Sequence, residues 1–502
     1  MNDRPRPRPR PRHRSTRPVV GVVAVLAVTA LAVGAGATAC SAPDVERSRD
    51  VGVQLFQWTW DAISTECGER IGPAGYAFVV TSPPQEHVLG AQWWTSYQPV
   101  SHRVESRLGT RDEFAAMVDA CHAAGVEVVA DAVLNHMAGQ DEPGTGWAGS
   151  PYEHYEYPGL FSDADGDFHH CDTPGGDIST YLLAEQVQGC ELVNLADLAT
   201  GSERVREAQR AYLDDLLSLG VDGFRIDAAK HVPPEDVAAI VAGLPEGTRV
   251  LQEVIRDGDQ PVKPEQYTAA GQVYEFAYGK DLVGILDGGT FEFATSLGEG
   301  RLPDDDAVVF VENHDTERNG STLTYRDGAR DQLASVLMLA TDYGTPVVYS
   351  GYAFTDRDAG PVQDAEGAVL DAACVGDEGP ERSWEDGEWV CQHRWPAVEG
   401  LVDWRAVAGD APLVDVQVPG DDVLAFSRGD RAFVAVNRAA EPVTVEVRTG
   451  LPAGRYCDVG TGAPGLVGGS CTGDVVKVRR DGTARVEIGA VRAVALHVGA
   501  RA

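Results

Sequence analysis

The feature that most constrains the fold is an alternation. From residue 51 to about 350, short β-branched runs alternate with amphipathic segments. Val51–Phe56, Tyr76–Thr81, Val126–Asp131, Val221–Asp227, Arg249–Glu253, Gln272–Phe276, Ala307–Glu312 and Thr345–Tyr349 read as strands. Between them lie helical patterns. Thr110-Arg-Asp-Glu113 forms a capping box opening Phe114–Ala124, which Gly125 ends. Ser202–Leu219 carries Val205, Ala208, Tyr212, Leu216 and Leu219 at helical spacing, and Ala329–Ala340 is a further helix. Eight strands alternating with helices predict an α/β parallel barrel.

Two stretches interrupt that rhythm. Residues 137–197 are rich in Gly, Asp, His and Tyr and too long for a simple connection, so they are expected to form a small domain inserted after the third strand. Residues 353–396 form a Gly/Asp-rich loop. Residues 410–502 show only short alternating runs, which predict an all-β sandwich domain. The barrel is then divided into 50–136 and 198–409.

Composition narrows the function. With 77 acidic against 41 basic residues the net charge is −36. Nucleic acid is therefore an unsuitable partner, since phosphate binding requires clustered Lys and Arg. The first 40 residues differ from the rest: Arg alternates with Pro, then Val19 to Ala39 is uncharged and ends in small residues. That order of regions predicts an export signal; the rival is a retained membrane span. Of nine cysteines, Cys40 stands alone beside the leader, where Ala37-Thr38-Ala39-Cys40 resembles a bacterial lipoprotein cleavage site with Ala in place of the usual Leu. Lipidation at Cys40 is the expectation and a plain signal cut the alternative. The other eight are expected to form disulfides in an exported chain.

Catalytic groups of such a barrel lie at the C-terminal strand ends. Four of these are unusually polar: D-A-V-L-N-H (131–136), G-F-R-I-D-A-A-K-H (223–231), L-Q-E-V (251–254) and F-V-E-N-H-D (310–315). Alternation places Arg225 and Asp227 on the inward face of one strand, and Val311, Asn313 and Asp315 on one face of another. Asp227, Glu253 and Asp315 should thus converge at one mouth, where burying carboxylates demands a reason. Arg225 is expected to hold Asp227 ionised.

These four segments, in this order, resemble the signature regions of the α-amylase family (family 13 glycoside hydrolases), particularly its animal-type and actinobacterial members. W-W-T-S-Y-Q-P-V-S (93–101), G-Y-A-F-V-V-T-S-P-P (75–84), C-Q-H-R-W (391–395) and G-L-P-A-G-R-Y-C-D-V (450–459) extend the resemblance over roughly residues 50–500. It implies retaining endo-hydrolysis of α-1,4 bonds in starch, glycogen or maltooligosaccharides. Asp227 would be nucleophile, Glu253 general acid/base and Asp315 transition-state stabiliser. Trp94, Tyr97, Gln98, His136, Arg225, Lys230, His231 and His314 would bind substrate. A structural Ca2+ would be held by the side chains of Asn135 and Asp197 and the carbonyls of Gln188 and His231. The bridges implied are Cys67–Cys121, Cys171–Cys190, Cys374–Cys391 and Cys457–Cys471. Of the family's chloride ligands Arg225 and Asn313 match, but Val347 occupies the third position, so chloride dependence is not expected. An extracellular or surface-anchored monomer is implied. An exo-acting or transglycosylating enzyme and a non-catalytic glucan-binding protein remain open alternatives.

Overall fold

The computed structural model describes residues 47–374, 379–461, 466–467 and 470–502. The leader and Cys40 lie outside them. Eight strands close a parallel barrel: β1 (Gly52–Leu55), β2 (Phe78–Val80), β3 (Glu127–Val133), β4 (Gly223–Asp227), β5 (Arg249–Gln252), β6 (Gln272–Tyr274), β7 (Ala307–Val309) and β8 (Thr345–Ser350). Each strand pairs with its neighbours in sequence, and β8 closes on β1. The eight predicted strands are all present, most of them shorter than their sequence runs.

The capping box forms as read. Thr110 Oγ1 accepts from the Glu113 amide, and Glu113 Oε2 accepts from the Thr110 amide at 2.7 Å, opening the helix Arg111–Ala123. A cap of this kind contributes about 1 kcal/mol. The helix Glu203–Ser218 buries Val205, Tyr212, Leu213 and Leu216 and ends before Gly220, whose φ of 94° suits glycine.

The barrel interior is divided along its axis. Phe78, Val80, Val129, Leu251, Tyr274, Val308, Phe310 and Val347 pack into one apolar cluster. Phe224 and Ile226 instead join the outer core under the helices. That apolar plug leaves the polar inward residues only the C-terminal mouth.

Between β3 and the helix Glu203–Ser218 lies the insertion. Short antiparallel pairs, Gly144–Thr145 with Pro151–Tyr152 and Glu156–Tyr157 with Phe161–Ser162, hold a small core of Tyr152, Tyr157, Phe161 and Phe168. The C-terminal region is all β. Leu413–Gln417, Val423–Arg428, Ala432–Asn437 and Arg492–His497 form one antiparallel sheet. Val443–Arg448, Thr483–Ile488, Val475–Val478 and Gly454–Cys457 form another. The helix Pro396–Ala408 packs against the sandwich: Trp404 Nε1 donates to the carbonyls of Phe433 (3.1 Å) and Leu496 (2.9 Å). A Cβ on Gly400 would overlap the Val459 carbonyl, so only glycine permits that approach.

The four expected disulfides are all present, Cys67–Cys121, Cys171–Cys190, Cys374–Cys391 and Cys457–Cys471. Among the described residues no helix is long and apolar enough to cross a membrane.

Candidate active site

β4 delivers Arg225 and Asp227 to the mouth as alternation requires. Arg225 is 2% exposed. Its Nη1 donates to both oxygens of Asp131 at 2.7 Å and to Asp227 Oδ1 at 3.0 Å. Its Nη2 lies 3.0 Å from Glu253 Oε2, an ion pair by distance but too poorly aligned for a hydrogen bond. One guanidinium thus serves three carboxyl groups. Asp131 is the residue that sequence reading left without a role. It stands directly opposite Arg225 in the β3–β4 register, and Tyr97 Oη donates to it at 3.0 Å. The available signal was an acid inside an otherwise apolar strand.

Glu253 follows the last residue of β5. Immediately after Asp227 the chain turns through Ala228, a non-glycine residue in left-handed geometry at φ 47°. Such strain, about 1–3 kcal/mol, is concentrated at functional sites. Here it aims the Ala228 amide at Glu253 Oε2, 2.9 Å away. Asp315 arrives differently from the expectation. β7 stops at Val309, and Asp315 lies in the first turn of a helix, His314–Asn319. Asn313 is that helix's cap, its Oδ1 accepting from the amides of Asp315 (3.0 Å) and Thr316 (2.9 Å). A capping box, rather than strand alternation, therefore sets the position of Asp315. Its carboxyl shares a hydrogen bond with Glu253.

The electrostatics also correct the expectation for Asp227. Burial, then the neighbouring Glu253 and Asp131, push its carboxyl well above the ordinary range, against the pull of Arg225. The guanidinium is divided, so it cannot hold every acid ionised. Asp131 is pushed up to about 6, by burial first, with Arg225 opposing. Asp315 keeps 34% of its side-chain surface exposed. It is pushed up to about 7, by burial first and then by Glu253. Such a cluster retains protons near neutrality, as acid/base chemistry needs.

Both histidines are buried and neutral. Burial lowers His136 to about 4, and its Nε2 bonds the Tyr97 carbonyl at 3.0 Å. Burial also drives His314 well below its ordinary value, followed by the nearby Arg225 and Arg318. His314 stacks between Phe56 (4.7 Å) and Tyr97 (5.1 Å). Trp94 is half-buried, Tyr97 buried. Gln98 Oε1 accepts from the Gly139 amide and from Gln140, both at 3.1 Å, which ties it to the insertion. Lys230 Nζ donates to the Ile255 carbonyl (2.8 Å) and Gln260 (2.6 Å).

A cleft of about 840 Å³ gathers these groups: Trp94, Tyr97, Gln98, His136, Lys230, His231 and His314 line it beside Asp227, Glu253 and Asp315. Sequence reading missed Tyr181, Val193, Arg318 and Arg357, which also line it. Arg318 is a buried cation stacked on Phe56, Trp93, Tyr352 and Phe354. Its partners come from distant loops, so spacing could not reveal it.

The proposed cation ligands adjoin the cleft. Asn135 and Asp197 are each 1% exposed, with their side chains hydrogen-bonded. Burial pushes Asp197 up to about 6 even though His169 Nδ1 lies 2.7 Å away. His231 Nδ1 donates to the Val187 carbonyl at 2.9 Å, which draws the segment holding Gln188 towards the end of β4. A buried carboxylate beside an amide oxygen fits a hard cation. By contrast Val347 sits in the apolar plug, Asn313 spends its oxygen on the helix cap, and Arg225 spends Nη1 on carboxylates.

Comparison with known proteins agrees with this geometry. Residues 80–277 match the model of the alpha amylase catalytic domain, and residues 414–499 that of the alpha amylase C-terminal all-beta domain. The chain is 44% identical to an alpha-amylase of Streptomyces violaceus over 92% of its length and 76% of the relative's. It is 37% identical to that of Tenebrio molitor, over 89% and 97%. The crystal structure of alpha-amylase I from Eisenia fetida superposes with a TM-score of 0.82 at 33% identity, covering 89% of this chain and 97% of that one. A mutant of that enzyme has been solved with maltohexaose.

Proposed function

The chain belongs to the alpha-amylase family and is a glycoside hydrolase, and on that premise we propose that it cleaves internal α-1,4 bonds of starch, glycogen and maltooligosaccharides with retention of configuration. The observation that carries the reading is the sharing of Arg225 by Asp227 and Glu253, each 3.0 Å from a different amino group. Retention requires two carboxyls about 5–5.5 Å apart in different protonation states. The guanidinium distinguishes them. Asp227 receives an aligned hydrogen bond, which favours its charged form against the burial that raises it, and it is placed as the nucleophile. Glu253 receives a misaligned contact, the Ala228 amide holds its Oε2, and its carboxyl hydrogen-bonds Asp315, an arrangement that orients it as the acid/base.

In the first step Asp227 attacks the anomeric carbon while Glu253 protonates the glycosidic oxygen, and the C–O bond breaks. In the second, Glu253 takes a proton from water, whose oxygen displaces Asp227. Asp315 binds sugar hydroxyls beside the oxocarbenium-like centre. Trp94 and Tyr97 offer aromatic surface, the neutral His314 offers a hydrogen bond without adding charge, and His136, bonded to Tyr97 and Asn135, shapes the wall. Ca2+, held by the side chains of Asn135 and Asp197 with the carbonyls of Gln188 and His231, would clamp insertion to barrel. Export through the N-terminal leader, with an acyl anchor at Cys40, completes the proposal.

Starch digestion followed by polarimetry or NMR, with product sizes over time, tests this. The expected outcome is an early spread of oligomers released as α-anomers. Initial β-anomers, or one dominant short product from the outset, would refute retaining endo action.

A further inference from the structure

A second set of buried acids lies behind the helix that carries Asp315, and the mechanism makes no use of it. Glu312 precedes the helix cap, Glu317 lies on the helix, and Asp331 sits in the first turn of the helix Ala329–Ala340. They are 4%, 3% and 1% exposed. Gln392 Nε2 donates to Glu312 Oε1 at 3.1 Å, and Tyr349 Oη donates to Glu317 Oε2 at 2.9 Å. Among the described residues, Glu312 Oε2, Glu317 Oε1 and both oxygens of Asp331 have no hydrogen-bond partner.

Four open oxygens on three buried carboxyls are intolerable as anions. They become tolerable when the carboxyls are acids, because protonation removes the buried charge. The charges around them do not supply an alternative. Arg318 pairs with Glu317 at 3.3 Å but is also spread over four aromatic rings. Arg326 acts on Glu317 too, while Asp327 adds negative charge towards Glu312 and Asp331. Tyr325, Tyr349 and Tyr352 complete the titratable surroundings and are neutral near pH 7. The first turn of a helix favours an anion at Asp331, but only in part.

We propose that Glu312, Glu317 and Asp331 form a proton-held foundation beneath the helix presenting Asp315, which loosens as these acids ionise in alkaline solution. The directions agree. Burial, then the neighbouring acids, push Glu312 and Asp331 well above the ordinary carboxyl range, and Glu317 is pushed up to about 7, by burial first. Acids with raised folded-state values contribute full stability below the ordinary carboxyl range and lose it as pH rises.

The test compares thermal unfolding of the full chain and of Asp331→Asn between about pH 5 and pH 9, at fixed calcium. The amide is isosteric and cannot ionise. The variant should match wild type at the acidic end and exceed it by about 2–4 °C at the alkaline end. Its activity at the optimum should be retained. Should Asp331→Asn fail to fold, Glu312→Gln carries the same expectation, since its Oε1 still accepts from Gln392. Parallel curves, or variants less stable in alkali, would overturn the proposal. So would an alkaline stabilisation of wild type by added Na+ or Ca2+ that Asp331→Asn abolishes, because a cation would then do what we assign to protons.

Discussion

The two buried acid clusters stand on opposite sides of one short helix and solve the same electrostatic problem in different ways. At the barrel mouth, Asp131, Asp227 and Glu253 surround Arg225, which distributes its amino groups unequally among them, and Asp315 joins through Glu253. Behind the helix, Glu312, Glu317 and Asp331 have a guanidinium that reaches only Glu317. A shared cation makes acids different from one another, which is the prerequisite for assigning them different chemical tasks. Without it, carboxyls are made bearable only by protons, and their behaviour is collective. Position decides which case arises. Arg225 comes from a strand and faces its partners through fixed register, whereas the second cluster is assembled from a helix cap and two helices.

The strongest way to break the comparison is Asp227→Asn. If the cleft acids are differentiated as argued, activity should fall roughly 10⁴-fold or more while melting behaviour stays close to wild type. Initial-rate assays alongside calorimetry decide this, and near-normal turnover would remove Asp227 from its role. Next in size is Arg225→Met. Removing one partner from a buried ion cluster costs about 3–5 kcal/mol, and equilibrium unfolding should show that loss together with lost activity. A stability change under about 1 kcal/mol would mean the acids do not depend on Arg225.

Calcium removal should act on stability through the Asn135–Asp197 pair. Mass action gives about 3 kcal/mol for a cation at a hundred times its Kd. Melting with chelator, then with restored calcium, measures it; superimposable curves would discount the site. A pH series sharpens the contrast. Asp131 at about 6 and Asp315 at about 7 bind protons more tightly folded than unfolded. Their stabilisation is therefore complete below the ordinary carboxyl range and declines as pH rises towards about 7, which thermal unfolding across that range measures. The smallest effect is reserved for chloride. With Val347 in the apolar plug, replacing chloride by another anion at constant ionic strength should leave activity nearly unchanged, and saturable activation would contradict this.

Much of this was legible in the chain itself because it depends on local order. Alternation in β4 placed Arg225 and Asp227 inward, and Thr110 with Glu113 marked a helix start. What escaped depends on contacts between distant segments. Asp131 gains its meaning only from strand register, and Arg318 only from four rings supplied by three separate stretches. Asp315 reaches the mouth by a turn of helix that begins where a strand was read, because Asn313 caps the backbone instead of continuing the ladder. The acids Glu312 and Asp331 are ordinary-looking letters until the fold buries them together.

The disulfides carry a consequence for how the molecule matures. Their partners are separated by 54, 19, 17 and 14 residues, and each cysteine joins the next one along the chain. Eight cysteines allow about a hundred pairings, yet this one is open to a chain that emerges N-terminus first and closes each bridge as its second thiol appears. With this connectivity each pair is complete before the first cysteine of the next appears, so oxidation in step with threading should need no reshuffling. A circular permutation cut inside the Cys67–Cys121 loop places those two cysteines at opposite ends of the new chain and should convert that orderly sequence into a slow search requiring thiol exchange.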